Sequence, residues 1–408
     1  MEAEVLNMKQ LFAPKLRFKG FDKEWRQFFM KEVATKITDG THDTPKQISI
    51  GIPYLTAIHV KDGVIDFDNC YYLNKNDHDK IYKRCNPELG DLLLVNIGAG
   101  TATCASVTVD YEFSLKNVAL IKPNRSIINP DFLSQLQRKN TKKLFLQLTA
   151  GGAQPFLSLK ELSKLKINTP SLPEQQKIAS FLSSIDEKIN QLKRKKELLE
   201  QYKKGVMQQL FSGKLRFKDE NGKVYPEWEM LNGDKLFDSI SDKNHNSDLP
   251  ILAITQDQGA IPRDMINYQM SVKDESIAGY KVVQVGDFII SLRTFQGGIE
   301  FSRYKGICSP AYNILRPRSA DVYRDFYKYY FKTASYIMQL QKNLEGIRDG
   351  KMISYKYFSD IKLPFPHRIE QERIANYFSL LDEKIEIINK QIILTQTFKK
   401  GLLQQMFV

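Results

Sequence analysis

The segment from Ser171 to Phe211, SLPEQQKIASFLSSIDEKINQLKRKKELLEQYKKGVMQQLF, constrains this chain more than any other, because it occurs twice. Shifted by 196 positions it pairs without a gap with the segment ending at Phe407, and 18 of the 47 positions in 165–211 are identical in the copy. The shared positions include Pro170/Pro366, Glu174/Glu370, Ile178/Ile374, Ala179/Ala375, Asp186/Asp382, Lys203/Lys399 and Gly205/Gly401. Two unrelated amphipathic helices do not agree so closely, so the chain is an internal duplication. Ile178, Ile185, Leu192, Leu199 and Val206 form one heptad row, and Leu182, Ile189 and Leu210 part of the next, with Lys196 and Lys203 as gaps. That spacing predicts a long helix with a coiled-coil seam. At 1.5 Å per residue it is a rod of roughly 60 Å. Ser171 and Glu174 read as a capping box. His367 replaces Ser171 in the copy, so a frayed first turn is expected there.

A third fragment of the pattern opens the chain. QLFAPKLRF at 10–18 echoes QLFSGKLRF at 209–217, and Trp25 has its counterpart in Trp228. The chain thus begins with the wording found just after the first long helix, and it stops where that helix also stops. The termini are neighbours in the repeat, and circular permutants within it are expected to keep function; permuted chains that fail to fold would refute the closure.

Two globular blocks, near 20–150 and 225–345, lie between these elements. They keep the same offset in Leu55-Thr56-Ala57-Ile58 against Ile251-Leu252-Ala253-Ile254, in Gly63 against Gly259, and in Gly90-Asp91 against Gly286-Asp287. GDLLLV and GDFIIS read as buried strands opened by a tight turn. Residues 322–341 read as one amphipathic helix, matched by a helix at 128–140 opened by Asn129 and Pro130. The expected fold is α+β: two pseudo-twofold-related globular α/β domains separated by two long helices, which close a ring if they lie antiparallel. The boundaries are 1–165 and 213–361 for the domains, and 166–212 and 362–408 for the helical regions.

Sixty Lys+Arg against 47 Asp+Glu leave a formal charge of +13, which favours a polyanionic partner such as nucleic acid or reflects a lysine-rich proteome. Cys70, Cys85, Cys104 and Cys308 form no metal-binding spacing, as expected of a reduced cytoplasmic protein, and no apolar run suggests a membrane. There is no phosphate-loop, H-E-x-x-H or G-x-S-x-G motif. No catalytic or metal-ligating residue is assigned, and the chain reads as a reader of its ligand. Base edges are read by Arg, Asn and Gln, and phosphates are held by Lys, Arg, hydroxyls and glycine-loop amides. Four segments carry that mixture: Thr41, His42 and Thr44; Asn96 and Thr101; Arg293, Thr294 and Gln296; and Arg348 with Lys351. Each is also compatible with a plain turn or solvated linker. Asp186-Glu187-Lys188 is placed on the outer face of the coiled coil, and Lys193-Arg194-Lys195-Lys196 on a solvated one.

TPSLPEQQKIASFLSSIDEKI (169–189), its copy PHRIEQERIANYFSLLDEKI (366–385), and the strand-loops at 90–107 and 286–302 resemble the specificity subunit of type I restriction–modification systems over the whole chain. The resemblance implies that each recognition domain reads one half of a split, asymmetric site in double-stranded DNA. It implies that the two long helices form an antiparallel coiled coil that spaces the halves and docks two modification subunits, which bind S-adenosylmethionine and methylate adenine N6. Restriction subunits using ATP and magnesium would join them, leaving this chain without a cofactor. Glu174, Gln175, Asp186 and Glu187, with Glu370, Gln371, Asp382 and Glu383, are then the candidates for partner docking. A stand-alone DNA-modifying enzyme and a protein-binding coiled-coil adaptor are the competing readings; activity of the purified chain and salt-dependent DNA binding separate them.

Overall fold

The computed structural model describes residues 13–98, 100–149, 155–246, 248–266, 274–342 and 353–408. They fall into two compact units: the chain up to Lys193 together with Lys390–Val408, and Arg194–Asn389. Each unit combines one recognition block with parts of both long helices, Leu172–Phe211 and Arg368–Met406.

In the first unit the block is built on a four-stranded antiparallel sheet. Its strands lie in the order Ala34–Asp39, Val118–Pro123, Leu92–Val95, Cys104–Ser106. Side chains alternate across a strand, and this sheet is covered on both faces. Leu92, Leu94, Ala119 and Ile121 join a core with Phe132, Leu133, Leu182 and Phe407. Leu93, Val95, Val118 and Leu120 join another with Leu55, Phe113 and Leu115. That double burial is why GDLLLV is an unbroken apolar run. Gly90, at φ +88°, makes the left-handed turn before the strand. Asp91 then fixes the turn, accepting the Glu88 amide at 2.8 Å and the Lys122 ammonium at 2.9 Å.

The second unit repeats the plan. Its sheet runs Phe237–Ile240, Asn313–Pro317, Phe288–Ile290, Glu300–Phe301, with Phe288 and Ile290 in one core and Ile289 in another. Gly286, at φ +95°, and Asp287, held by Arg316 through two contacts of 2.8 Å, repeat the turn. The proline-bearing segments before the long helices are strands in both units. Lys166–Thr169 pairs with Arg26–Phe29, and Lys362–Phe365 pairs with Glu229–Asn232.

The helix expected over 322–341 is two helices, Arg324–Tyr330 and Ala334–Lys342. Thr333 separates them, its hydroxyl accepting the Tyr336 amide at 3.3 Å as an N-cap does. Its counterpart Pro130–Thr149 is continuous and longer than expected, with Asn129 capping the Phe132 amide at 2.9 Å.

The long helices bury Ile178, Leu182, Ile185 and Ile189 in the first unit, and Leu210, Ile374, Phe378 and Leu381 in the second. The two lysine gaps are filled from the other helix. In the second unit Lys196 donates to Asn389 at 3.1 Å and Lys203 to Asp382 at 2.5 Å. Residue numbers rise on one helix as they fall on the other, so the pairing there is antiparallel. In the first unit Lys399 meets both Asp186 oxygens at 2.6 Å. The Leu16 amide donates to the Gln405 carbonyl at 2.9 Å, and Trp25 packs against Phe407, so both ends of the described chain lie in one unit. All four cysteines are free, and burial pushes the thiols of Cys85, Cys104 and Cys308 up to about 12. Among the described residues no helix is long and apolar enough to cross a membrane.

Candidate nucleic-acid interface

The duplicated P-x-x-E-Q wording turns out to be a clamp within each unit. Glu174, 1 % exposed, takes Arg17 of the L-R-F motif through contacts of 2.6 and 2.7 Å. Its carboxylate is spent on Arg17, which overturns the capping box with Ser171. Glu370, fully buried, takes Arg216 of the second L-R-F at 2.8 and 2.9 Å and also the Trp228 indole at 2.9 Å. The second helix therefore starts firmly at Arg368 although His367 cannot form the box.

The neighbouring glutamines seat the recognition blocks. Gln175 accepts the Asn129 amide at 2.8 Å and donates to the Ile127 carbonyl at 3.0 Å, the Pro170 carbonyl at 2.9 Å and the Thr169 hydroxyl at 2.6 Å. Gln371 accepts the Tyr323 amide at 2.9 Å and donates to the Asp321 and Pro366 carbonyls at 3.0 and 2.8 Å. Asp186 receives Lys399 from the other helix and, at 2.8 Å each, Arg138 and Gln135 from the recognition block. Arg138 reaches on to Asp62 at 2.7 Å. Burial pushes the Asp186 carboxyl up, but Arg138 and the Lys399 and Gln135 donors outweigh it and hold it below its ordinary range. Asp382 binds Lys203 and accepts the Tyr329 hydroxyl at 2.9 Å. Six of the eight residues offered for partner docking are thus engaged inside their own unit. This corrects the placement of Asp186 on an outer face. Glu187 and Glu383 alone of the eight are exposed.

The expected DNA-contacting residues divide the same way. In the first unit Thr41, His42 and Thr44 gather with residues the sequence motifs did not single out. The His42 Nε2 lies 3.1 Å from the buried Asp39 carboxylate, which also binds Arg84, and Nδ1 lies 3.0 Å from the Asn117 side-chain oxygen. Lys116 donates to the Thr44 hydroxyl. The Thr41 amide and carbonyl bond Leu115 and Asn117, fixing the loop to the strand end. An open cleft of about 400 Å³ lies here, lined by Thr41, Thr44, Lys80 and Arg84 and also by Asp39, Asp43 and Asp77. Hydroxyls, cations and carboxylates thus meet at the surface beside the His42 imidazole, a mixture of donors and acceptors that suits contact with base edges. Nothing local marks Arg84 or Asn117, because the fold brings them in from 45 and 75 residues away.

Asn96 and Thr101 are each 1 % exposed and face inward. The Thr101 hydroxyl donates to the Gly98 and Pro155 carbonyls at 2.6 and 3.1 Å, closing the loop on itself. Neither residue can offer its side chain to DNA, which corrects that expectation. Thr294 is likewise buried, accepting the Ser291 amide at 2.8 Å. Arg293 and Gln296 of the same loop are exposed. Gln296 accepts from Gln256 at 3.4 Å, and Lys332 ties both loops together, donating to the Gly297 carbonyl at 2.9 Å and the Gln256 carbonyl at 3.3 Å. Two surface amides are thereby held side by side, with Arg293 exposed in the same loop. Gln256 was missed because it lies in a separate turn. Arg348 and Lys351 fall outside the described residues.

The sequence model of the type I restriction modification DNA specificity domain matches this chain twice, at residues 22–201 and 228–395. The chain belongs to that family. It is a specificity subunit of a type I restriction–modification system. It is similar to the putative type I restriction enzyme MjaX specificity subunit of Methanocaldococcus jannaschii, at 26 % identity over 93 % of this chain and 92 % of that one. The MjaVIII specificity subunit of the same organism is 24 % identical over 86 % and 84 %. The type I specificity subunit from M. genitalium has the same fold, with a TM-score of 0.61 at 15 % identity over 97 % of this chain and 99 % of that one. A chain from a structure of type I complex assembly and conformational transition gives 0.54 at 17 % identity, over 96 % and 99 %. The specificity subunit is the DNA-recognition part of such systems, and the chain is a non-catalytic member of the assembly.

Proposed function

We propose that each unit reads one half of a bipartite, asymmetric site in double-stranded DNA. The first does so through Thr41, His42 and Thr44 with Arg84, Lys116 and Asn117. The second uses Arg293 and Gln296 with Gln256. The observation that carries this reading is the repetition of one sheet order in two units whose surface loops carry different side chains. A common frame with different loops is what two different half-sites require.

The long helices then serve as the ruler. The first runs unbroken for 40 residues, roughly 60 Å, enough to hold readers one turn of duplex apart, about 34–36 Å between centres. Glu187 and Glu383 are left on the helix surface for two modification subunits. Those subunits carry S-adenosylmethionine and methylate adenine N6, and restriction subunits with ATP and magnesium complete the complex in the cytoplasm.

The deciding experiment is sequencing of methylated adenines in cells expressing this chain with its modification subunit. A split motif is expected. Exchanging block 20–150 should change one half only, and lengthening both helices should lengthen the unread spacer. No motif, or a change in both halves on exchange, overturns the reading.

A further inference from the structure

A second cleft in the first unit, about 710 Å³, runs along the helix Pro130–Thr149 on the side of the strand Lys166–Thr169. Lys139, Lys143, Lys164 and Lys166 line it, and among the described residues no aspartate or glutamate does. Lys139 donates to the main-chain oxygen of Val408 at 3.0 Å, while the other three lysines have no carboxylate partner among the described residues. Burial and the neighbouring Lys143 both push the Lys139 ammonium below its ordinary range. Gln137 also lines the cleft; it is 2 % exposed and its amide nitrogen has no acceptor among the described residues. Clustered ammonium groups with no carboxylate partner favour a ligand that brings negative charge.

The second unit does not repeat three of the four lysines. The clamps set Asn129 opposite Tyr323, so Gln137, Lys139 and Lys143 correspond to Phe331, Thr333 and Ile337. Lys164 corresponds to Asp360 at the repeat offset. The copy replaces three of the four cations with neutral, apolar and acidic groups and keeps the fourth, Lys166, as Lys362, and Phe331 is fully buried. A partner taken once by each half would need the cleft in both, whereas an asymmetric duplex needs it in one.

We propose that this cleft binds the sugar–phosphate backbone of the DNA, away from the loops that read bases. Its donors, lysine ammonium groups and side-chain amides, are those that hold phosphates without reading sequence. The proposal rests on the chain being a DNA reader.

The test is the variant Lys143→Gln/Lys164→Gln/Lys166→Gln in the full chain with its modification subunit. All three positions are exposed, so the fold should stand, as circular dichroism would verify. Anisotropy titrations use a duplex carrying the mapped motif and a scrambled one, from 50 to 200 mM salt. The expected result is an equal fold-loss of affinity on both duplexes. The slope of log K against log salt should fall by about 2–3, roughly 0.9 for each phosphate no longer neutralised. An unchanged slope, or a loss confined to the motif duplex, overturns the proposal. So does intact DNA binding with loss of subunit assembly, which would assign the cleft to an acidic protein surface. If the unaltered complex does not prefer its motif, the DNA-reading function itself fails; if it does and the triple variant matches it, only the cleft is wrong.

Discussion

Replacing Asp186 by Asn tests whether the polar node between helix and recognition block holds the first unit together. Asp186 is the carboxylate on which Lys399, Arg138 and Gln135 converge within 2.6–2.8 Å. Lys399 is only 4 % exposed, so the substitution strands an ammonium group inside the fold. Removing one partner of a buried pair typically costs about 3–5 kcal/mol. For a body of about 200 residues each kcal/mol lowers Tm by about 2–4 °C, so the melting of the first unit should fall by about 6–20 °C. The molecule offers its own reporters. Its two tryptophans lie one in each unit, Trp25 being 3 % exposed against Phe132 and Phe407. In a Trp228→Phe background, Trp25 fluorescence therefore follows the first unit alone. Adding Lys399→Met to Asp186→Asn removes the stranded charge and should restore most of the loss, because apolar replacement of buried pairs is often neutral or better. A Tm change under about 2 °C in Asp186→Asn, or no recovery in the double variant, would refute the reasoning.

The same carboxyl predicts a pH dependence. Its folded value lies below the ordinary one, so its contribution is present above about pH 4, the unfolded value, and is lost as pH falls through the folded value. The Tm difference between the parent and Asp186→Asn should therefore shrink in acid from about pH 4 downward; a constant difference would count against it. Gln371→Leu should destabilise the second unit by about 1–3 kcal/mol, since the Tyr323 amide and Asp321 carbonyl lose their partner, and urea unfolding followed at Trp228 measures this. His42→Ala should relax one half of the methylation motif and Gln296→Ala the other, as read by sequencing methylated adenines; a change in the same half would contradict the two-reader assignment.

The duplication, the two Gly-Asp strands and the long helices were legible because each leaves a periodic or repeated signal along the chain. Even the gaps at Lys196 and Lys203 were visible, although their partners Asn389 and Asp382 were not, being more than 170 residues away. Glu174 shows the limit most clearly. Its spacing from Ser171 fits a local cap, but Arg17, 157 residues upstream, offers two charged donors and wins. Composition could not tell Thr101 from Thr44 either. Both sit in loops of small and hydroxylic residues, yet one hydroxyl turns in to backbone carbonyls while the other meets Lys116 at the surface. The break at Thr333 was hidden because the apolar period continues through it.

The seats made by Gln175 and Gln371 have an evolutionary corollary. The bonds across to the block end on the backbone: Asn129 and Ile127 for one glutamine, Tyr323 and Asp321 for the other. The socket is indifferent to the spelling of whatever it receives. Genetic exchange can therefore deliver a foreign reader with any surface vocabulary, and it will dock so long as its main chain arrives in the right shape.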